Sequence, residues 1–338
     1  MAFSLAGHSS AYYGFPPSST KAFQVMQIKH LVKEYLESIQ FGANTPYFKD
    51  QALEETVWGY FHSLNMGEKI ERSLQKMLKI TVTFVHQAYT SLPFEIKIQC
   101  SIQGLYMFLV DDATEEFTED LQQFGQNFLL NKGHRNPIFS NFDAHLRSLS
   151  RHYGPYCHSV IIKSMFDYIN GRVIEHKMEQ SGFKFSPNTR LMPMFLRTKT
   201  GGAEILFHML WPKSLFPEEQ YLMQYFPVIQ EMVLFIDFTN DILSYYEECF
   251  INEEKGNFVS NFGQAHGMDR MDVLRQLVEY TPQVLAAVYR ALQDNEVLRK
   301  PIEQFVTGWI RLMTAHRRYH LVDLFADEQY LPPYEIDA

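Results

Sequence analysis

The sequence predicts a single all-α domain, and three observations predict it. From about residue 21 onward, long segments carry apolar residues at helical spacing, separated by short breakers. No series of segments alternates with period two. Pro93, Pro137, Pro155, Pro187, Pro193, Pro212 and Pro217 fall mainly between the periodic runs, where a missing N–H does least harm.

In order, the spacing predicts helices over 23–40, 51–64, 69–91, 93–114, 116–131, 140–150, 157–180, 217–253, 269–293 and 300–325. Residues 1–20, rich in Ser, Gly, Pro and Ala, read as a flexible lead. No internal repeat or linker divides 21–330. Two helical segments are apolar nearly all round, at Leu105–Val110 and Met232–Ile236. Such helices are normally enclosed by other helices. Both runs end in acidic or amide residues, and that pairing is the main clue to function.

Composition narrows the function. The 338 residues are 46% hydrophobic and 20% charged, which suits a large buried core. The 28 Phe and 19 Tyr suit a bulky core or a cavity walled by rings. A net charge of −9 argues against nucleic acid as a partner, yet allows a small polyanion held through metal ions. Cys100, Cys157 and Cys249 form no framework and are expected to be reduced. The N-terminus lacks the pattern of a signal peptide, and no apolar run reaches the roughly 18 residues of a membrane span. The expectation is a cytoplasmic protein without stable membrane insertion, and a homodimer is allowed.

Four polar features bear on chemistry. In Asp111-Asp112-Ala113-Thr114-Glu115-Glu116, a helix would set Asp111 and Glu115 on one face, where like charges repel. A divalent cation would offset that repulsion, since Mg²⁺ takes hard oxygen ligands and bridges carboxylates to phosphates. A solvated acidic helix end explains the same pattern. Asn240, Ser244 and Glu248, each four apart, form a stripe of oxygen donors suited to one Mg²⁺; a plain polar helix end is the alternative. Arg317-Arg318-Tyr319 offers phosphate donors on a helix running back through Trp309, or else a surface basic patch. Phe195 to Gly202 contains Arg197 and a double glycine, which suggests a break inside a helical region or an ordinary interhelical turn.

Taken in order, these pieces resemble the fungal class I sesquiterpene cyclases of the trichodiene synthase family, over roughly residues 95–325. The segments Arg151 to Cys157 and Leu210 to Lys213 share the likeness. The resemblance implies a class I terpene synthase helical bundle around an apolar active-site cavity. It implies three Mg²⁺ ions held by Asp111, Glu115, Asn240, Ser244 and Glu248, and a diphosphate gripped by Arg197, Arg318 and Tyr319. Thr200 and Gly201 match the linker and effector positions, while Phe108, Asp237 and Trp309 are pocket candidates. Glu247 departs from the pattern, because the resembled enzymes carry a Lys there. The expected substrate is a linear isoprenoid diphosphate, farnesyl diphosphate by resemblance. Two alternatives stay open: a chain-elongating prenyltransferase, and a non-catalytic helical isoprenoid-binding protein.

Overall fold

A computed structural model describes residues 21–42, 49–112, 114–254 and 256–334; the lead at 1–20 lies outside them. The helices in chain order are α1 (Lys21–Ser38), α2 (Gln51–Ser63), α3 (Glu68–Ala88), α4 (Phe94–Asp112), α5 (Thr118–Leu129), α6 (Pro137–Ser148), α7 (Pro155–Ser181), α8 (Met192–Thr200), α9 (Ala203–His208), α10 (Glu218–Tyr225), α11 (Ile229–Leu243), α12 (Phe258–His266), α13 (Arg270–Ala291), α14 (Glu296–Ala315) and α15 (Leu321–Leu324). There is no strand among the described residues.

Local chemistry sets many of the helix ends. Asp50, Asn136, Asn257, Asp269 and Asn295 each accept a hydrogen bond from a backbone N–H in the first turn that follows them. The start of α7 is capped from a distance instead. The Glu218 carboxylate on α10 accepts from Tyr156 N at 3.0 Å and Cys157 N at 2.8 Å. A negative group there also meets the positive end of the helix dipole. Gly182 closes α7 in the left-handed conformation at φ 64°.

The helix that is apolar all round becomes the centre. Met232 to Thr239 on α11 are all buried. This helix packs against α9, α13 and α14, and α3 lies between α4 and α14. Gly308 on α14 permits a close approach to α3: a Cβ there would lie 2.5 Å from the Ala88 Cα. No described helix is long and apolar enough to cross a membrane.

The helices α8, α9 and α12 fall where the spacing predicts none, and the predicted helices need three corrections. The predicted helix over 217–253 is four pieces: α10, a 3₁₀ turn at Phe226–Val228, α11 and a π turn at Glu247–Ile251. Pro227 lies in the 3₁₀ turn and has no N–H to give the ladder. The helix predicted over 300–325 ends at Ala315, so Arg318 and Tyr319 sit on a separate 3₁₀ turn, not on the Trp309 helix. His320, at φ 54°, starts the short α15 after it. Finally, α4 stops at Asp112, and Glu115 lies on an exposed turn beyond it. The shared helical face proposed for Asp111 and Glu115 therefore does not form.

Candidate active site

One cavity of about 350 Å³ opens among α3, α4, α7, α8, α11, α14 and the turn bearing Arg318. Its walls divide by chemistry. Ile80, Phe84, Val85, Met107, Leu206 and Leu312 are among its apolar lining, with Phe108 and Trp309 supplying further rings. Polar atoms on these walls are tied to backbone carbonyls: Thr81 Oγ1 to Met77 at 2.7 Å, Tyr89 OH to Leu206 at 2.8 Å and Trp309 Nε1 to Ile236 at 3.2 Å. Each donor is satisfied, so these walls present carbon to the cavity.

The opposite part is charged. Asn240 is on the last turn of α11, and the helical repeat carries on past its end through Ser244 N–Asn240 O at 2.8 Å and Glu248 N–Ser244 O at 2.9 Å. Asn240, Ser244 and Glu248 therefore share one stripe, as their spacing predicts. Ser244 Oγ lies 2.6 Å from Glu248 Oε1. Burial pushes the Glu248 carboxyl up to about 7, against the Ser244 hydrogen bond.

Arg197 reaches this stripe from α8. Its Nε donates to Asp241 at 3.0 Å, and its Nη2 donates to Asp237 O at 2.9 Å and Asn240 Oδ1 at 3.2 Å. Burial works against its charge, but Asp241 and Asp237 more than offset that and raise its pKa. Asp237 has the opposite balance: burial pushes it up to about 7 although Arg197 lies near. Its Oδ1 is buried and has no hydrogen-bond partner, at 3.6 Å from Arg197 Nη1. The α8–α9 break explains this closeness. Gly201 has no Cβ to collide with Asp237 Oδ1, and Gly202 takes φ 65° to turn the chain.

The first acidic motif faces the same space from α4. Asp111 lines the cavity and pairs with Arg172 Nη2 on α7 at 2.7 Å; Arg172 Nη1 pairs with Glu175 at 2.6 Å. Burial, then the neighbouring Asp111, push Asp112 up. Arg318 Cζ lies 5.9 Å from the Phe108 ring centroid, within cation–π range. Burial opposes the charge of Arg318, and Tyr319, Glu247, Asp111 and Asp112 hold its pKa up.

The fold thus brings Asp111, Arg197, Thr200, Gly201, Asp237, Asn240, Ser244, Glu248, Arg318 and Tyr319 to one cavity, with Phe108 and Trp309. It does not bring Glu115, which is exposed and outside the lining. Sequence reasoning missed Arg172, Glu175 and Asp241, all in the lining. The i,i+3 spacing of Arg172 and Glu175 on a long helix was a signal for their mutual pair, but not for Asp111.

The donor set suits a hard cation. An amide oxygen, a hydroxyl and a carboxylate lie in one stripe, and the buried Glu248 would gain from a neighbouring positive ion. Among the described residues, no three His, Cys, Asp or Glu side chains converge to hold a metal by themselves. The site is mixed, and suits an ion that completes its shell with water and phosphate oxygens.

Comparison with known proteins identifies the fold and the family. A Streptomyces clavuligerus linalool/nerolidol synthase superposes with a TM-score of 0.60 at 12% identity, over 81% of this chain and 98% of that one. The same enzyme solved with 2-fluorogeranyl diphosphate gives 0.58 at 13% identity, over 86% and 99%. A cucumene synthase variant gives 0.56 at 14% identity, over 83% and 98%. These establish the all-α terpene synthase fold. In sequence, an (E)-beta farnesene synthase of Metarhizium brunneum is 23% identical over 302 residues, covering 89% of this chain and 91% of its own. A trichodiene synthase of Paramyrothecium roridum is 23% identical over 261 residues, covering 77% and 67%. The family model described as trichodiene synthase matches residues 60–331, so the chain belongs to the trichodiene synthase family of terpene synthases.

Proposed function

We propose that this terpene synthase ionises farnesyl diphosphate and cyclises the resulting carbocation to a sesquiterpene, hydrocarbon or alcohol, with release of diphosphate. The observation that carries this reading is the division of one cavity. Anion- and cation-binding groups occupy one part and carbon surfaces the rest. A volume of about 350 Å³ falls in the range of small-molecule sites. A terpene synthase of the same fold has been solved in complex with 2-fluorogeranyl diphosphate, a ligand of the same chemical class.

The residues divide the work. Asn240, Ser244 and Glu248 would hold one Mg²⁺ and Asp111 would hold others, three in all by family likeness. Glu115 would join only if its turn folds inward. Bound Mg²⁺ supplies Lewis-acid stabilisation of charge on the leaving diphosphate. Arg197, Arg318 and Tyr319 donate hydrogen bonds to diphosphate oxygens. As the C–O bond breaks, its electron pair leaves with diphosphate, and these fixed donors stabilise that charge. The allylic cation then meets the chain's own double bonds. Phe84, Phe108 and Trp309 present rings that disfavour capture by water and can stabilise positive charge. Loss of a proton or addition of water ends the sequence, and Asp237, a buried carboxyl in the cavity lining, is placed to influence either. Glu247 lines the same cavity; burial pushes its carboxyl up, against the nearby Arg318.

The test is Mg²⁺-dependent incubation with C10, C15 and C20 diphosphates, followed by mass spectrometry of volatiles and assay of free diphosphate. A cyclic C15 product that disappears in Asp111→Ala and Asn240→Ala supports the reading. A longer prenyl diphosphate formed from farnesyl and isopentenyl diphosphates would assign a prenyltransferase. No diphosphate release from any substrate would leave a binding protein.

A further inference from the structure

We propose that Arg172 is a diphosphate-binding residue whose pairing with Asp111 is a placeholder, released when that carboxylate turns to a metal ion; this rests on the metal–diphosphate reading above. The cavity supplies the argument. Among the described residues its lining contains three arginines, on three different walls: Arg172 on α7, Arg197 on α8 and Arg318 on the turn after α14. Acidic side chains in the same lining outnumber them. A diphosphate arriving there needs every cation the walls can present.

Arg197 already places Nε and Nη2 on Asp241, Asn240 and the Asp237 carbonyl of α11, which leaves chiefly its Nη1 for diphosphate. Arg172 is differently held. Glu175, one turn along the same helix, fixes Nη1, and only Nη2 rests on Asp111. Its Nε is buried and has no acceptor. A guanidinium carries five N–H donors, so this one is unsaturated even in its present pairing. The Glu175 contact would keep the group at the cavity wall while Asp111 changes partner. Phosphate oxygens then satisfy Nη2 and Nε as a fork, a geometry that Arg offers and Lys does not.

Arg172 and Asp111 therefore exchange partners on ligand binding, and the same arginine competes with metal for Asp111 when diphosphate is absent. Calorimetric titration of the full chain with Mg²⁺ alone, and with inorganic diphosphate plus Mg²⁺, separates these effects. Arg172→Gln is expected to weaken diphosphate binding by about tenfold or more, without weakening Mg²⁺ binding measured alone. Adding Glu247→Lys to Arg172→Gln is expected to recover part of the loss by returning positive charge to the cavity lining. Diphosphate affinity unchanged in Arg172→Gln overturns the proposal, and so does an equal loss of Mg²⁺ and diphosphate affinity, which marks a structural role. If Arg172→Gln does not fold, Arg172→Lys replaces it, with about threefold weaker diphosphate binding expected and unchanged binding overturning the proposal. A wild-type chain that binds no diphosphate in the presence of Mg²⁺ would instead remove the underlying functional reading.

Discussion

Gly201 and Asp237 face each other so closely that a methyl group on Gly201 would overlap the Asp237 Oδ1 and come within 2.8 Å of Arg197 Nη1. The chain break between α8 and α9 thereby sets the position of the arginine that reaches the Asn240 stripe. Gly201→Ala should push that arginine off its three partners on α11. We expect kcat/KM to fall by at least about tenfold, and stability to fall by about 1–3 kcal/mol from overpacking. Steady-state kinetics alongside thermal unfolding checks both, and full activity would mean that Arg197 needs no exact placement.

The raised carboxyls predict how stability follows pH. Asp237 and Glu248 are pushed up to about 7 by burial, while an exposed carboxyl titrates near 4. Below both values each group is neutral folded or unfolded, so pH has no effect through it. Between them the unfolded chain loses the proton more readily, so stability falls as pH rises from about 4 to about 7. Unfolding of the metal-free protein should therefore show a declining midpoint over that window. Asp237→Asn should flatten the decline, and an unchanged slope would clear Asp237 of responsibility.

Mg²⁺ should reverse that trend. A cation favours ionised Glu248, so its binding should tighten as pH rises through about 7. The thermal shift produced by Mg²⁺ is then expected to be larger at pH 8 than at pH 6. Glu248→Gln should remove most of the difference. An equal shift at both pH values in wild type would place the ion elsewhere.

Glu218 predicts a stability effect remote from the chemistry. Its carboxylate alone meets the N–H groups of Tyr156 and Cys157 at the head of α7. Glu218→Ala should cost about 1–2 kcal/mol, the scale of a lost helix cap. Denaturant unfolding measures it. Because α7 also carries Arg172, a small rise in KM should accompany the loss.

Trp309→Phe removes the hydrogen bond to Ile236 O while keeping a ring beside Phe84 and Phe305. We expect about 1 kcal/mol less stability, and a changed product distribution by mass spectrometry. An identical product pattern would mean that this ring packs without shaping the reaction.

What could be read from the sequence was what the helix repeats locally. Asn240, Ser244 and Glu248 show in the sequence because four residues make nearly one turn, and their backbone bonds preserve that register up to the π turn. Arg197 and the Arg318–Tyr319 pair came from family likeness, not from period. The pairing of Arg172 with Asp111 joins α7 to α4, and no periodicity links residues so far apart in the chain. Pro227 was visible, but the strong apolar run on either side outweighed it, so one long helix was expected where the chain bends. The end of α4 at Asp112 was hidden for a similar reason: Thr114 and Glu115 are compatible with a continuing helix.

The carbonyl-bound walls of the cavity have an evolutionary consequence. The ionising groups sit at the C-terminal end of α4, on α7, on α8, at the end of α11 with the π turn beyond it, and on the turn after α14, whereas Thr81, Phe84, Gly104 and Met107 line the cavity from α3 and the earlier turns of α4. Substitutions at those four positions can remodel the space that folds the substrate while the leaving-group apparatus keeps its partners. A lineage with this architecture is free to diversify its products on one surface and to keep its reaction on another.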